Sequence, residues 1–213
     1  MPNISSPSVV LLTAGGHAKV VADICLAAGY RIAGFLDDVR PIDAEWTGGK
    51  IIGRLNRLSD ASFAARHLFI PALGDNAQRR DLAEKVRAAN AEMISVVHPS
   101  AVVSSFASIG LGTVIMPGAV VNAAARIGDF CILNSGCTVD HDCVLEDGCQ
   151  ICPGANLAGN VYCGQDVFVG IGASIIPKVK LAERSVVGAG SAVISDVPAD
   201  VTVVGIPAEV RVR

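Results

Sequence analysis

From residue 97 onward, the hydrophobic positions of this chain fall on a period of six. Stepping from Val97 gives Val103, Ile109, Ile115, Val121, Ile127, Leu133, Val139, Leu145, Ile151, Leu157, Cys163, Val169, Ile175, Leu181, Val187 and Val193. All but one are aliphatic, and no insertion breaks the phase. Four residues after each comes a restricted, mostly small position, as in Ala119, Ala125, Cys131, Cys137, Cys143 and Cys149. Three after is often glycine, as at Gly112, Gly136 and Gly154, and prolines fall two after, at Pro99, Pro117, Pro153 and Pro177. Neither a helical period of 3.6 nor a strand period of 2 holds such a register. The pattern predicts short flat strands joined by corners, three to a triangular coil of 18 residues. Successive coils then stack at the parallel-strand spacing of about 4.7–4.9 Å. The tail 201–208 is expected to cap one open end of the prism and the N-terminal segment the other.

Residues 1–96 carry a different rhythm, and the chain divides into 1–96 and 97–213 on this reading. Ser8 to Thr13 is an apolar run of strand length, followed by Ala14-Gly15-Gly16-His17. A helix is predicted from His17 to Ala28, with Val20, Val21, Ile24 and Ala27/Ala28 on one face and Gly29 ending it. Arg31 to Leu36 reads as a second strand running into Asp37-Asp38. Strand, helix, strand, helix and strand then follow at 50–55, 59–66, 67–73, 76–89 and 93–97. Alternation of this kind implies a parallel sheet, a Rossmann-like α/β unit. A glycine turn between strand and helix can present N–H groups to phosphates, and the acidic pair about twenty residues later stands where dinucleotide folds contact ribose.

Bulk properties narrow the function. A net charge of −3 gives no basic stripe for a phosphate backbone, so no nucleic-acid partner is expected. No stretch approaches 18 consecutive apolar residues, and the start MPNISSPSVV lacks the basic and apolar regions of a signal peptide. The expectation is a cytoplasmic protein without membrane insertion. Between Val97 and Val193 only eleven side chains are charged, a surface that suits burial against partner subunits. Seven cysteines, an odd number, argue against a closed disulfide framework.

Hexapeptides of the form Ile127-Gly128-Asp129-Phe130-Cys131-Ile132 resemble those of the acyltransferases built on a left-handed parallel β-helix. Gly15-Gly16-His17-Ala18-Lys19-Val20-Val21, Phe35-Leu36-Asp37-Asp38 and Leu73-Gly74-Asp75-Asn76 ahead of such a coil resemble one subgroup: the UDP-4-amino-sugar N-acetyltransferases, GDP-perosamine N-acetyltransferase and the sialic-acid O-acetyltransferases. The resemblance implies an α/β Rossmann-like unit followed by an all-β left-handed β-helix, acetyl-CoA as co-substrate and a homotrimer. It implies acetylation of a nucleotide-linked 4-amino-4,6-dideoxy sugar for surface-polysaccharide or glycan synthesis, on UDP or GDP, nearest to GDP-perosamine. Sialic-acid O-acetylation and a non-catalytic binding coil are the alternatives. It assigns Gly15, Gly16, His17, Asp37, Asp38 and Gly74 to the nucleotide-sugar, with Asn134 lining the acceptor site.

Two histidines fall in the repeats, His98 at the junction and His141 in Asp140-His141-Asp142. The subgroup carries its catalytic histidine in the phrase that here holds His141, with Asp142 raising its basicity; Asp140 is an alternative partner. An imidazole titrating near neutrality is suited to take the proton of an amine attacking a thioester. One coil of 18 residues places Gly159 over His141, leaving room for the acetyl group and an N–H for the oxyanion. Family resemblance puts acetyl-CoA against Gln150, Ile171 and Ala189; the first of these is often histidine in the subgroup. The cysteines at six-residue spacing diverge around the prism, so no metal site is expected.

Overall fold

A computed structural model describes residues 8–211; residues 1–7, on which part of the reading of the N-terminus rests, lie outside them. The chain divides into two compact units at 99/100, three residues beyond the boundary expected from the repeat.

The first unit is a six-stranded sheet. Its elements are β1 (Ser8–Leu12), α1 (Gly16–Ala27), β2 (Arg31–Leu36), β3 (Glu45–Trp46), β4 (Gly49–Gly53), α2 (Ala61–Ala64), β5 (Leu68–Pro71), α3 (Asn76–Ala88) and β6 (Glu92–Met93). The strand order is β3-β4-β2-β1-β5-β6, parallel except for the antiparallel β3–β4 pair. β1 is central and reads Val9, Val10, Leu11 and Leu12, all fully buried, as a strand covered on both faces requires. Gly29 ends α1 as predicted: its φ is +85°, its N–H reaches Leu26 O, and Tyr30 N–H reaches Cys25 O. That pair of bonds satisfies the last helical carbonyls, and glycine takes the left-handed backbone without steric cost.

Three expectations change here. The strand expected over 93–97 is broken at 94–95 into β6 and a separate two-residue strand, Val96–Val97. The helix expected over 59–66 is a 3-10 turn at Leu55–Ser59 followed by the short α2. Asp60 separates them, because its carboxylate accepts from Ser62 and Phe63 N–H and so starts a new helix. β4 answers to the strand expected at 50–55, whereas its hairpin partner β3 has no counterpart in the expected elements: it is two residues long, too short to show a period.

The second unit is the left-handed parallel β-helix. Two-residue strands pair one coil apart, for example Thr138–Val139 with Asn156–Leu157 and Ile132–Leu133 with Gln150–Ile151. The six-residue aliphatic row and the small row four residues later together form one continuous core. The buried thiols are satisfied internally: Cys131, Cys143 and Cys149 donate to the carbonyls of Glu146, Ala158 and Gly164. Among the described residues, no His/Cys/Asp/Glu group is placed to hold a metal. The tail strand Thr202–Val204 pairs with Val186–Val187 and folds back against Glu209–Val210. This covers the ladder's last exposed edge on that side.

Candidate active site

From residue 112 to 190, every corner of the coil has one residue with positive φ, three after the aliphatic position. Glycine holds it at Gly136, Gly154 and Gly172, while along the corner of His141 it falls on Ala124, Asp142 (φ 59°), Asn160 (φ 62°) and Lys178. Asp and Asn tolerate this backbone better than other residues. At this corner the conformation turns the Asp142 carboxylate back onto its neighbour, and Oδ2 lies 2.8 Å from His141 Nδ1. That hydrogen bond, opposed by slight desolvation and helped by the Asp140 and Asp142 charges, raises the imidazole pKa above its ordinary value. It also places the proton on Nδ1 and leaves Nε2 as the free, basic nitrogen.

Asp140 does not partner the ring. Its Oδ1 accepts from the His141 backbone N–H at 2.7 Å and from Asn122 Nδ2 at 2.8 Å, and these bonds hold its carboxyl below the usual range. The stacking register is direct: a Cβ on Gly159 would stand 2.6 Å from both Cε1 and Nε2 of His141. The space left by the missing side chain is therefore filled by the imidazole itself, rather than being held open as the sequence suggests. The Gly159 N–H donates to no group among the described residues.

The remaining coil positions do not converge on His141 within one chain. Asn134 stands one corner earlier around the prism, its Oδ1 accepting from Ser135 N–H. Ile171 and Ala189 stack along that same corner, where Gly190 N–H reaches Ile171 O, and Ile171 is 60% exposed. Gln150 lies on the preceding face, its Oε1 buried without a hydrogen bond. Between the two corners runs a groove of about 510 Å³ lined by Asn122, Thr138, Asp140, Asn156, Ser174 and Ile176.

In the first unit, chain connections leave β1 and β5 in opposite directions, to β2 on one side and β6 on the other. In open α/β sheets, the crevice at the carboxyl ends of such a strand pair is where ligands bind. The loops that flank it carry Gly15-Gly16 and Leu73-Gly74. A Cβ on Gly15, Gly16 or Gly74 would meet nothing within 4 Å, and none of the three has positive φ. The chain's own packing does not demand glycine there, so their bareness keeps a surface open to approach from outside. Gly15 caps α1 without a side-chain bond, so the first N–H groups of a 12-residue helix remain available.

The other positions in this unit differ in exposure. Asp37 is only 8% exposed. Burial pushes its carboxyl up, but bonds from Arg40, Ala14 and Val39 N–H outweigh that and hold it low. Those bonds fasten the loop after β1 to the loop after β2. Asp38 faces outward and accepts from Leu55 N–H at 2.9 Å. His17 turns inward; burial, helped by the Arg79 charge, lowers its pKa to about 4, so the ring is neutral at pH 7.

Residues 8–86 match the family of the PglD N-terminal domain. The perosamine N-acetyltransferase of Caulobacter crescentus, solved as a histidine-to-asparagine variant with CoA and GDP-perosamine, is 35% identical over 97% of both chains, with a TM-score of 0.93. The chain belongs to this family of sugar N-acetyltransferases. A second member, the acetyltransferase domain of PglB from Neisseria gonorrhoeae FA1090 in complex with acetyl coenzyme A, is 36% identical over 97% of this chain and 100% of that one, with a TM-score of 0.92. The UDP-N-acetylbacillosamine N-acetyltransferase of Bacillus subtilis (strain 168) is 40% identical over 113 residues, 50% of each protein. This chain thus matches no more than half the length of the curated relatives. No helix among its described residues is long and apolar enough to cross a membrane.

Several residues of this family member escape a reading of the sequence. Thr13 ends β1 at φ 81°, a strained value for a β-branched residue; its hydroxyl donates to Ala72 O, tying together the two loops of the crevice. Arg79 is wholly buried and donates to the carbonyls of Leu73 and Gly74, shaping the second loop from below. Arg40 donates to Ala14 O and lies 3.5 Å over the Trp46 ring, with Lys19 on the same indole. Thr13 could have been noticed where the pattern of a strand-ending turn calls for glycine. The roles of Arg79 and Arg40 depend on contacts distant in sequence.

Proposed function

We propose that the chain transfers the acetyl group of acetyl-CoA to the 4-amino group of a nucleotide-linked 4-amino-4,6-dideoxy sugar, with GDP-perosamine as the favoured acceptor. The observation that carries this reading is the imidazole of His141, held by Asp142 and seated on Gly159. Nε2 takes the proton as the amine nitrogen attacks the thioester carbonyl. The Gly159 N–H faces the developing oxyanion, and collapse releases CoA as thiolate, which takes up the proton His141 has held. Asp140 and Asp142, on the same corner as His141, make its surroundings acidic, which suits the approach of a cationic amine. Gly15, Gly16, His17, Asp38 and Gly74 receive the nucleotide-sugar, and Asp37 serves it by holding the loop. Ile171, Ala189 and Gln150 hold the CoA arm, and Asn134 lines the acceptor site.

Because Asn134, Ile171 and Ala189 stand a corner away from His141, a neighbouring chain is required to complete the site, and a homotrimer supplies it in closed symmetry. The relatives solved with CoA, acetyl-CoA and GDP-perosamine support both ligands. The test is the initial rate of CoA release against a panel of UDP- and GDP-linked 4-amino sugars and free sialic acid. Turnover is expected with a nucleotide-linked amino sugar; faster turnover of sialic acid would favour O-acetylation instead.

The His141 environment sets a pH dependence. The base works only when neutral, and its pKa is raised, so kcat/KM should fall as pH drops through a value above the ~6.5 of free imidazole. Asp142→Asn removes the first cause of that rise, so the acid limb of the kcat/KM profile is expected to move to lower pH while the plateau falls. An acid limb in the same place in both proteins would show that another group titrates.

A further inference from the structure

Two coils above His141, the same corner carries an exposed cation on a strained backbone. Lys178 stacks over Asn160 and Asp142 in an unbroken register: Asn160 N–H reaches His141 O at 3.0 Å, and Lys178 N–H reaches Gly159 O at 3.1 Å. Its φ is 68°, a left-handed conformation that a long side chain adopts only at a cost. At two other corners a charged side chain in this conformation has a visible task. Asp142 holds the imidazole, and Arg184 forks onto Asp200 at 2.6 and 2.8 Å. Lys178 has no such task within the chain. Its side chain is exposed, and no hydrogen bond or ion pair engages it among the described residues. Lys180 is exposed as well, and its backbone N–H, not its ammonium, meets Asp196.

We infer that Lys178, with Lys180 beside it, binds the phosphates of acetyl-CoA as the donor's arm climbs away from His141. The inference rests on the reading of Ile171 and Ala189 as the seat of that arm and adds the charge which the seat lacks. Ile171 and Ala189 lie two and three coils beyond Asn134. The arm therefore runs toward the C-terminal end of the coil, the direction in which Lys178 lies from His141. Two coils amount to about 9.5 Å, less than the extended arm from its sulfur to its first phosphate, and the four-carbon lysine stem gives the ammonium a wide sweep.

The other arginines of the coil are placed differently. Arg126 pairs one coil below Val144, on the far side of His141 from Ile171. Arg184 is taken by Asp200 and Glu183. Arg211 is bonded beside Thr202, over Val186 rather than over Ala189. Charge then changes sign along one corner, from Asp140 and Asp142 at the level of the base to Lys178 two coils up. Each end suits one reactant: the acidic end the ammonium of the acceptor, the basic end the diphosphate and 3′-phosphate of the donor. Solubility alone would not explain the lysine, because asparagine or glycine at this corner would remove the strain. Strain kept at one point beside a reactive site is a mark of function.

The test uses the full chain and two probes: CoA, titrated calorimetrically, and pantetheine, which lacks the phosphates, followed by ligand-observed NMR. Lys178→Gly is expected to weaken CoA by about 3- to 10-fold and to leave pantetheine within about 2-fold. The same variant should melt about 2 °C higher, because glycine relaxes the corner. Lys178→Arg keeps the cation and should hold CoA within about 2-fold of wild type. Added salt should weaken CoA more in the wild type than in Lys178→Gly. Unchanged CoA binding by Lys178→Gly, or equal weakening of CoA and pantetheine, overturns the assignment of Lys178 and leaves Ile171 and Ala189 in their role. A wild type that does not bind CoA sinks the reading of the CoA arm, and the assignment of Lys178 with it.

Discussion

His141→Asn is expected to lower the acetyl-transfer rate by about 10²–10⁴, the usual range for loss of a positioned general base. Asparagine keeps a polar side chain of similar reach but cannot take a proton near neutrality. The fold should not suffer: the His141 side chain is 56% exposed and lies outside the aliphatic core of the coil. The loss should therefore appear in kcat, with CoA binding and the melting temperature close to wild type. The Caulobacter crescentus relative carrying a histidine-to-asparagine change was solved with both CoA and GDP-perosamine bound, which supports separating binding from turnover at such a position. Activity within a few-fold of wild type would remove His141 from the role of base.

Gly159→Ala should cost about 10² in kcat/KM, and Gly159→Val at least as much. The first Cβ would sit 2.6 Å from Cε1 and Nε2 of the imidazole, closer than atoms can pack, and the ring is the part free to yield. Moving it breaks the 2.8 Å bond to Asp142 and shifts the base by the order of 1 Å, a displacement that can cost about 100-fold. The backbone is not strained by the change, because Gly159 has no positive φ, and stability should stay near wild type. Thermal melts beside steady-state kinetics check both halves. An alanine variant with full activity would mean the ring and the glycine are not stacked as described.

The coil was legible because its signal is repeated: sixteen aliphatic residues at one spacing leave no other period to fit, and stacking by 18 followed by arithmetic. The same arithmetic found Gly159 over His141. What occupies the gap was not legible, because whether a side chain or a ligand fills the missing Cβ depends on the rotamer set by Asp142. In the first unit, Gly29 and the α3 pattern carried local signals, whereas β3 and the break at Asp60 did not rise above the flanking sequence. Asp37 and Asp38 read alike as an acidic pair. Only the folded chain separates them, since Ala14 N–H, 23 residues away, claims the first and leaves the second facing outward.

The most direct test of the central claim follows the acetyl group itself. Deuterated acetyl-CoA is incubated with the protein and a mixture of GDP-perosamine, a UDP-linked 4-amino sugar and free sialic acid, and the products are separated by mass spectrometry and mapped by NMR. The account predicts label in an amide at the sugar C4 nitrogen of a nucleotide-linked product, formed fastest on the GDP-linked acceptor and lost in His141→Asn. Label in an ester of free sialic acid, or equal labelling by wild type and His141→Asn, would contradict it.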